Sequence, residues 1–164
     1  MGKIVILRGV SGSGKSTYAQ KLHDEQGYDI VGRDAMRLKL LGADGLEKYF
    51  EHGMDYFLEE YITTKETRKL VGLIRKGYNV VIDNTHIKLA YIQSLVNLFS
   101  DLDVCPADVS IEEFVVTREV ARERCDKRDK KPISDTVLNR QLSEFKPGVT
   151  INDFITYEDG TLKW

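Results

Sequence analysis

The chain has 164 residues, and because a domain averages about 150 residues this length predicts a single domain. Hydrophobic residues make up 41% and charged residues 30% of it, with only 3 prolines, which excludes a disordered or collagen-like chain and is typical of a soluble globular enzyme. Its 24 basic and 26 acidic residues give a formal charge of −2, so no general basic field attracts nucleic acid.

Cysteine content and hydropathy indicate the cellular compartment of the protein and whether it spans a membrane. Two cysteines, Cys105 and Cys125, are too few for a disulfide framework and fit a reducing compartment. Apolar runs stay well short of the ~20 residues of a membrane span. We therefore expect a cytoplasmic protein that does not bind membranes.

The first half of the chain alternates short apolar runs with helical patterns. Its predicted elements are a buried strand over 3–8, a helix over 15–25, a strand over 28–31, a short helix capped by Asp34 and running to about Leu41, and a helix over 54–76. Gly27 and Gly77 stand where glycines end helices. Residues 42–53 show no clean period, so no element is predicted there.

The second half continues the alternation. Its predicted elements are a strand over 79–83, a helix over 88–99, a strand from about 109 to 116, a charged helix over 118–128, a helix capped by Ser134 or Asp135, and a strand or hairpin over 150–164 with Asp159-Gly160 as the turn. Strands alternating with helices predict an α/β fold with a mostly parallel sheet flanked by helices. We expect one domain over 1–164, with a small helical lid at about 122–132.

The strongest motif is a phosphate-binding loop (P-loop) at Gly9–Ser16, GVSGSGKS, between the first predicted strand and helix. Glycines let successive N–H groups face one anion, the lysine adds a mobile charge, and the hydroxyl of Ser16 can ligate Mg²⁺. The motif predicts binding of ATP or another NTP with Mg²⁺, but it does not indicate what receives the phosphate. The fold class we expect is that of an adenylate-kinase-like P-loop phosphotransferase. The predicted nucleotide-binding residues of this segment are Gly12, Ser13, Gly14, Lys15, Ser16 and Thr17.

Asp34 and Arg37 follow the second predicted strand, at the edge where ligands of parallel sheets bind. A carboxylate there can accept the proton of an attacking hydroxyl, and an arginine three residues on can bind a phosphate of the acceptor. The alternative is that Asp34 is only a helix cap and Arg37 only a solvated base. Asp83 ends the third strand, where it can contact a metal-bound water or orient Arg37, or simply form a turn.

Residues 118–131 hold seven bases and four acids, a local charge of +3. Arg124 and Arg128 are four residues apart, so a helix places both on one face, where they can close over a triphosphate. The alternative is a solvated helix with internal ion pairs.

Taken together, these segments resemble the 5′-hydroxyl polynucleotide kinases of phage and other end-healing enzymes. The matching segments are Gly9 to Ser16, Arg33-Asp34 with Arg37, Val80 to Thr85, and Arg124 and Arg128 ahead of Pro132 to Asp135. The resemblance spans roughly residues 3–145. It implies transfer of the γ-phosphate of an NTP to a 5′-OH end of RNA or DNA.

The resemblance also implies roles for individual residues. Lys15 and Ser16 would handle phosphates and metal, Asp34 would be the general base, and Arg37 would contact the phosphate 3′ of the terminal nucleoside. A lid arginine, Arg128 with Arg124 beside it, would bind the triphosphate. Asp83 would support Arg37 or the metal.

Some features depart from this family and keep other functions open. Residues 42–65 match nothing in its pattern, and the acidic stretches 42–60 and 101–113 weigh against nucleic acid on those faces. The main alternative is a small-molecule kinase of the gluconate or shikimate type, with a closed acceptor pocket. A toxin-like nucleotide-sugar kinase and a nucleotide switch without an acceptor are further alternatives.

Overall fold

The computed structural model describes residues 1–52, 55–127 and 133–164. Four strands form a parallel sheet: β1 (Ile4–Gly9), β2 (Asp29–Val31), β3 (Val80–Asp83) and β4 (Val109–Phe114), in the order β2-β3-β1-β4. The helices are α1 (Lys15–Gln26), α2 (Arg33–His52), α3 (Tyr56–Arg75), α4 (Leu89–Asp101), α5 (Arg118–Asp126) and α6 (Asp135–Glu144). The predicted α/β fold with a parallel sheet flanked by helices is confirmed.

Both faces of the sheet are apolar, as the uninterrupted hydrophobic runs predicted. Ile4 and Ile6 of β1 pack with side chains of α3 and α4, and Val5 and Leu7 pack on the other face against α1. Each of these four side chains is buried. Burying a side chain of this size contributes about 1.5–3 kcal/mol, so β1 is a rigid base for the loop that follows it.

A third apolar cluster joins that loop to the carboxyl-terminal helices. Val10 packs with Ala121 and Cys125 of α5 and with Leu138 of α6. The side chain of Ser134 caps α6 by accepting a hydrogen bond from the N–H of Val137, as predicted. The proposed lid lies partly outside the described residues, since 128–132 are not among them, and it stays a prediction.

Helix α2 differs most from the sequence prediction. It begins at Arg33, because the N–H of Met36 already donates to the carbonyl of Gly32, so Asp34 lies in the first turn and is not the cap. Helical residues continue beyond Leu41 to His52, in a stretch where no element was predicted. Gly42, at φ 68° and ψ 178°, has a non-helical backbone, so the first helical segment ends near Leu41 as predicted and a second segment follows the kink.

The apolar stripe predicted on the helix from residue 54 is partly wrong. Ile62, Leu70 and Ile74 of α3 are buried, but Phe57 is 79% exposed. Leu70 and Ile74, in the second half of α3, belong to the apolar cluster on the sheet. In the first half Ile62 is buried, whereas Phe57 and Tyr61 are exposed. Met54 of that stripe lies outside the described residues.

The carboxyl-terminal segment returns to the sheet. β5 (Thr156–Glu158) and β6 (Thr161–Lys163) form an antiparallel hairpin around the predicted turn Asp159-Gly160, whereas Ile151–Phe154, in the same predicted segment, form a 3-10 helix. The indole Nε1 of Trp164 then donates to the carbonyl of Val104 at 2.6 Å. Among the helices of the described residues, none is both long and apolar enough to cross a membrane.

Candidate active site

The P-loop connects β1 to α1, and its first residue is hydrogen-bonded to the segment that follows β3. The N–H of Gly9 donates to the carbonyl of Thr85 at 2.9 Å. Gly12 has a φ of 78°, and a Cβ added there would lie 2.5 Å from the carbonyl oxygen of Ala121. Glycine is therefore required at this position, both by its backbone conformation and by the closeness of α5.

Lys15 is 6% exposed, and its side chain folds over the loop. Its Nζ donates to the carbonyl of Val10 at 2.7 Å and to the Oγ of Ser13 at 3.2 Å. Ser16 and Thr17, by contrast, are exposed in the first turn of α1. The amino end of α1, an ammonium and an accessible hydroxyl form a donor set that suits a triphosphate and its Mg²⁺.

Two carboxyl-terminal helices contact this loop. Nη1 of Arg124 in α5 donates to the carbonyl of Gly12 at 3.4 Å, which places one of the two predicted lid arginines at the loop. From α6, the side-chain oxygen of Gln141 accepts the N–H of Ser11 at 2.8 Å. Arg128, the other predicted lid arginine, lies outside the described residues.

Asp34 and Arg37 lie together beyond the carboxyl end of β2. Nη1 of Arg37 donates to Oδ1 of Asp34 at 2.6 Å. The two side chains differ in exposure, since that of Asp34 is 60% exposed and that of Arg37 only 9%. The arrangement presents an accessible carboxylate beside a largely buried guanidinium. Both lie at the carboxyl ends of the parallel strands, where the P-loop also lies.

Glu59 of α3 binds the other two nitrogens of the Arg37 guanidinium. Its carboxylate accepts from Nε of Arg37 at 2.8 Å and from Nη2 of Arg37 at 2.6 Å. Nη2 of Arg33 and the hydroxyl of Tyr49 also donate to it, at 2.7 and 2.8 Å. Burial alone raises the pKa of Glu59, but the hydrogen bonds from these three donors outweigh it and lower the pKa to about 2.

The hydrogen bond between Tyr49 and Glu59 shifts the pKa of Tyr49 in the opposite direction. Burial and the hydrogen bond to the Glu59 carboxylate raise the pKa of Tyr49 to about 12. The phenol therefore stays protonated and keeps donating throughout the physiological pH range.

The end of β3 supports the start of α2. The side-chain oxygen of Asn84 accepts the N–H of Arg33 at 3.0 Å, and its amide nitrogen donates to Glu66 of α3 at 2.7 Å. Burial raises the pKa of Glu66. Asp83 ends β3 beside Leu7 in the register of the sheet, and its role toward Arg37 or a metal stays a prediction.

Three residues of this site were not predicted from the sequence, namely Arg33 as a side-chain donor, Tyr49 and Glu59. Glu59 is one of six acids between residues 42 and 60, and nothing in its local pattern distinguishes it from the other five. Its contacts depend on how α2 and α3 pack against each other. The signals that the sequence did offer were the P-loop motif, the position after a strand and the helical spacing of Arg124 and Arg128.

A strand, a glycine-rich loop with a buried lysine, and a helix on a parallel sheet define the P-loop phosphotransferase class. A family model described as "AAA domain" (AAA_33) matches residues 4–148. The chain belongs to this family.

Relatives and solved structures agree with this class. A viral protein named as a bifunctional polynucleotide kinase/RNA ligase, from Autographa californica nuclear polyhedrosis virus, is 30% identical over 94% of this chain and 22% of its own length. A chain of the Pnkp1/Rnl/Hen1 RNA repair complex is 27% identical, with a TM-score of 0.72, over 99% of this chain and 48% of its own. Shikimate kinase of Caldanaerobacter subterraneus is 29% identical over 52% of this chain and 51% of its own.

These similarities place the chain among the P-loop kinases, with relatives named for polynucleotide and for small-molecule acceptors. The chain spans about a fifth of the viral relative and about half of the matched chain of the repair complex.

Proposed function

We propose that the chain is a polynucleotide 5′-hydroxyl kinase, which transfers the γ-phosphate of ATP or another NTP to a 5′-OH end of RNA or DNA in nucleic-acid repair. The observation that carries this proposal is the Asp34–Arg37 pair, in which an exposed carboxylate lies 2.6 Å from a guanidinium nitrogen. A hydroxyl acceptor with a phosphate nearby requires a proton acceptor and an anion-binding group side by side.

The similar proteins support the polynucleotide acceptor. The viral relative is named as a polynucleotide kinase/RNA ligase, and its similarity covers nearly the whole chain. The matched structure is a chain of an RNA repair complex, and it contains the full length of this fold. A nucleic-acid end therefore fits both the site and its relatives.

In the proposed reaction Asp34 accepts the proton of the 5′-OH, whose oxygen forms a bond to the γ-phosphorus. The bond between that phosphorus and the β,γ-bridging oxygen breaks, so that an NDP and a 5′-phosphate end are the products. Lys15 would bind the outer phosphates, and Arg37 the phosphate 3′ of the terminal nucleoside. Arg124, with Arg128 beyond the described residues, would stabilise the charge on the triphosphate.

Mg²⁺ fits the same donor set. The exposed hydroxyl of Ser16, at the amino end of α1, would hold it. When bound, the ion neutralises part of the phosphate charge during transfer. Thr17 and the N–H groups of Gly12, Ser13 and Gly14 would contact the phosphates next to it.

A transfer assay with γ-labelled ATP and Mg²⁺ tests the proposal. The acceptors are a 5′-OH oligonucleotide, the same strand with a 5′-phosphate, and a panel of small hydroxylated metabolites. We expect label on the 5′-OH strand alone. Label on a metabolite alone would overturn the acceptor, in favour of a small-molecule kinase such as the shikimate kinase that matches half of this chain.

The general base is tested by Asp34→Asn, which keeps an oxygen for Arg37 but accepts a proton poorly. We expect nucleotide binding to be retained and transfer to fall by about 10²-fold or more. Asp44→Asn is the matched control, because it makes the same change at an exposed position of the same helix. Equal activity of the two variants would contradict the assignment of Asp34.

A further inference from the structure

Glu59 lies outside the segments that carry the resemblance described above, yet it binds both arginines of the acceptor side, by which we mean Arg33, Asp34 and Arg37. We propose that Glu59 is a positioning residue, which orients Arg37 so that one defined edge of its guanidinium meets the phosphate of the acceptor. This inference rests on the proposed function. It gives a residue of α3 a role in binding the acceptor.

The geometry of the Arg37–Glu59 pair is that of a two-pronged ion pair. Nε and Nη2 of Arg37 donate to the two different oxygens of Glu59, at 2.8 and 2.6 Å. Such parallel bonds fix the plane of the guanidinium as well as its distance. Both side chains are largely buried, at 9% and 16% exposed, so solvent screens the pair only weakly.

Glu59 also holds a second arginine beside the first. Arg33 and Arg37 are four residues apart on α2, and the Nη2 atoms of both donate to the same oxygen, Oε2, of Glu59. Two guanidinium groups at this spacing repel each other. A shared carboxylate between them offsets that repulsion and keeps both charges at the acceptor side.

The remaining edge of Arg37 points toward the base. With Nε and Nη2 bound to Glu59, Nη1 is the nitrogen that donates to Asp34, whose side chain is 60% exposed. An acceptor that brings its hydroxyl to Asp34 therefore meets the Nη1 edge of Arg37 with its first phosphate. The hydroxyl of Tyr49 holds Oε1 of Glu59 at 2.8 Å and links this geometry to the second half of α2.

Glu59→Gln tests the proposal, with Glu60→Gln as the control. Glutamine has the same shape, but one of its two ends is an N–H donor that cannot accept from a guanidinium. Glu60 is the next residue of the same helix and is exposed, so its variant makes the same charge change without touching either arginine. Thermal unfolding and ATP binding of both variants establish that fold and P-loop are intact.

The readout is the preference for an acceptor that carries a phosphate. We compare kcat/KM for a nucleoside 3′-monophosphate with kcat/KM for the same nucleoside without phosphate. We expect Glu59→Gln to lower kcat/KM for the phosphorylated acceptor by about 10-fold or more and to remove most of the preference. An unchanged preference would overturn the proposal, and a lower KM would show that Glu59 instead competes with the acceptor phosphate.

A double-mutant cycle separates positioning from general structural damage. If Glu59 acts through Arg37, Glu59→Gln changes kcat/KM by less than about 2-fold once Arg37→Ala is present. A full additional loss in that background would overturn the proposal. If the wild-type chain phosphorylates neither nucleoside nor oligonucleotide, the proposed function fails, whereas transfer with an unaffected Glu59→Gln variant contradicts only the role of Glu59.

Discussion

His86 shows how burial sets the charge of a single side chain near the P-loop. The ring is 5% exposed, and its Nδ1 lies 2.7 Å from the carbonyl oxygen of Leu7. A carbonyl can only accept, so Nδ1 carries the proton in the neutral ring. Burial lowers the pKa of His86 from 6.5 to about 4, against the opposing effect of that hydrogen bond.

We expect this histidine to make stability depend on pH between about 6.5 and about 4. In that range the unfolded chain binds a proton that the folded chain does not, so the free energy of unfolding rises with pH. The contribution of the neutral, buried His86 to the free energy of unfolding is complete above pH 6.5 and is lost as the pH falls toward 4. One proton corresponds to a slope of at most about 1.4 kcal/mol per pH unit.

Urea unfolding at a series of pH values measures this slope. His86→Gln should reduce it, whatever its effect on stability at pH 7. Identical slopes for wild type and His86→Gln would contradict the prediction.

Whether a site residue could be predicted depended on where its partners lie in the chain. Lys15 and Ser16 belong to one continuous loop, so local spacing alone predicted their place, and Asp34 and Arg37 are three residues apart. Glu59 is 22 residues from Arg37, and their contact forms only when two helices pack. Such a pairing leaves no periodic signal in a single sequence.

The kink of α2 is the clearest case in which one residue shapes a helix. Gly42 has a φ of 68° and a ψ of 178°, a conformation that side chains other than glycine avoid, and a Cβ added there would meet nothing within 4 Å. Gly42→Ala should therefore destabilise the fold by about 1–3 kcal/mol through backbone strain alone.

Gly72→Ala is the matched control for this prediction. Gly72 lies inside α3, and a Cβ added there also has no atom within 4 Å. Because its backbone is helical, alanine should stabilise the fold by roughly 0.5–1 kcal/mol. Chemical denaturation of both variants gives the two free energies, and changes of the same sign would refute the assignment of the kink.

The strands could be predicted more fully than the helices. β1 and β3 are buried on both faces, so their continuous apolar runs predicted strands of nearly the right length. The glycines at 42 and 45 interrupted the helical period, which hid the second half of α2. Phe57 and Tyr61 fit the helical period of α3 but are exposed, whereas Leu70 and Ile74 of the same pattern belong to the apolar cluster on the sheet.

Arg8 links distant parts of the whole chain through a buried charge. It is 1% exposed in β1, donates to the carbonyls of His86, Ile87 and Lys146, and forms an ion pair with Glu113 of β4. The Glu113 carboxylate also accepts the N–H groups at 148 and 149. One ion pair therefore joins the strand before the P-loop to the carboxyl-terminal segment.

Glu113→Ala should destabilise the molecule by about 3 kcal/mol or more, because it leaves the buried guanidinium without its carboxylate. The amide protons of Gly148 and Val149 should then exchange faster with solvent. Glu112→Ala is the control, since Glu112 is the exposed neighbour on the same strand. Hydrogen exchange and urea unfolding test both effects, and equal results for the two variants would contradict them.

Trp164, the last residue of the chain and its single tryptophan, packs its ring 5.9 Å from that of Phe99. It bonds to Val104, close to the amino ends of the parallel strands, whereas the P-loop follows their carboxyl ends. The protein thus contains its own fluorophore, remote from where phosphates bind. Its emission reports the docking of the tail and the integrity of the core, so folding can be followed without a dye while nucleotide and acceptor are titrated at the other end of the sheet.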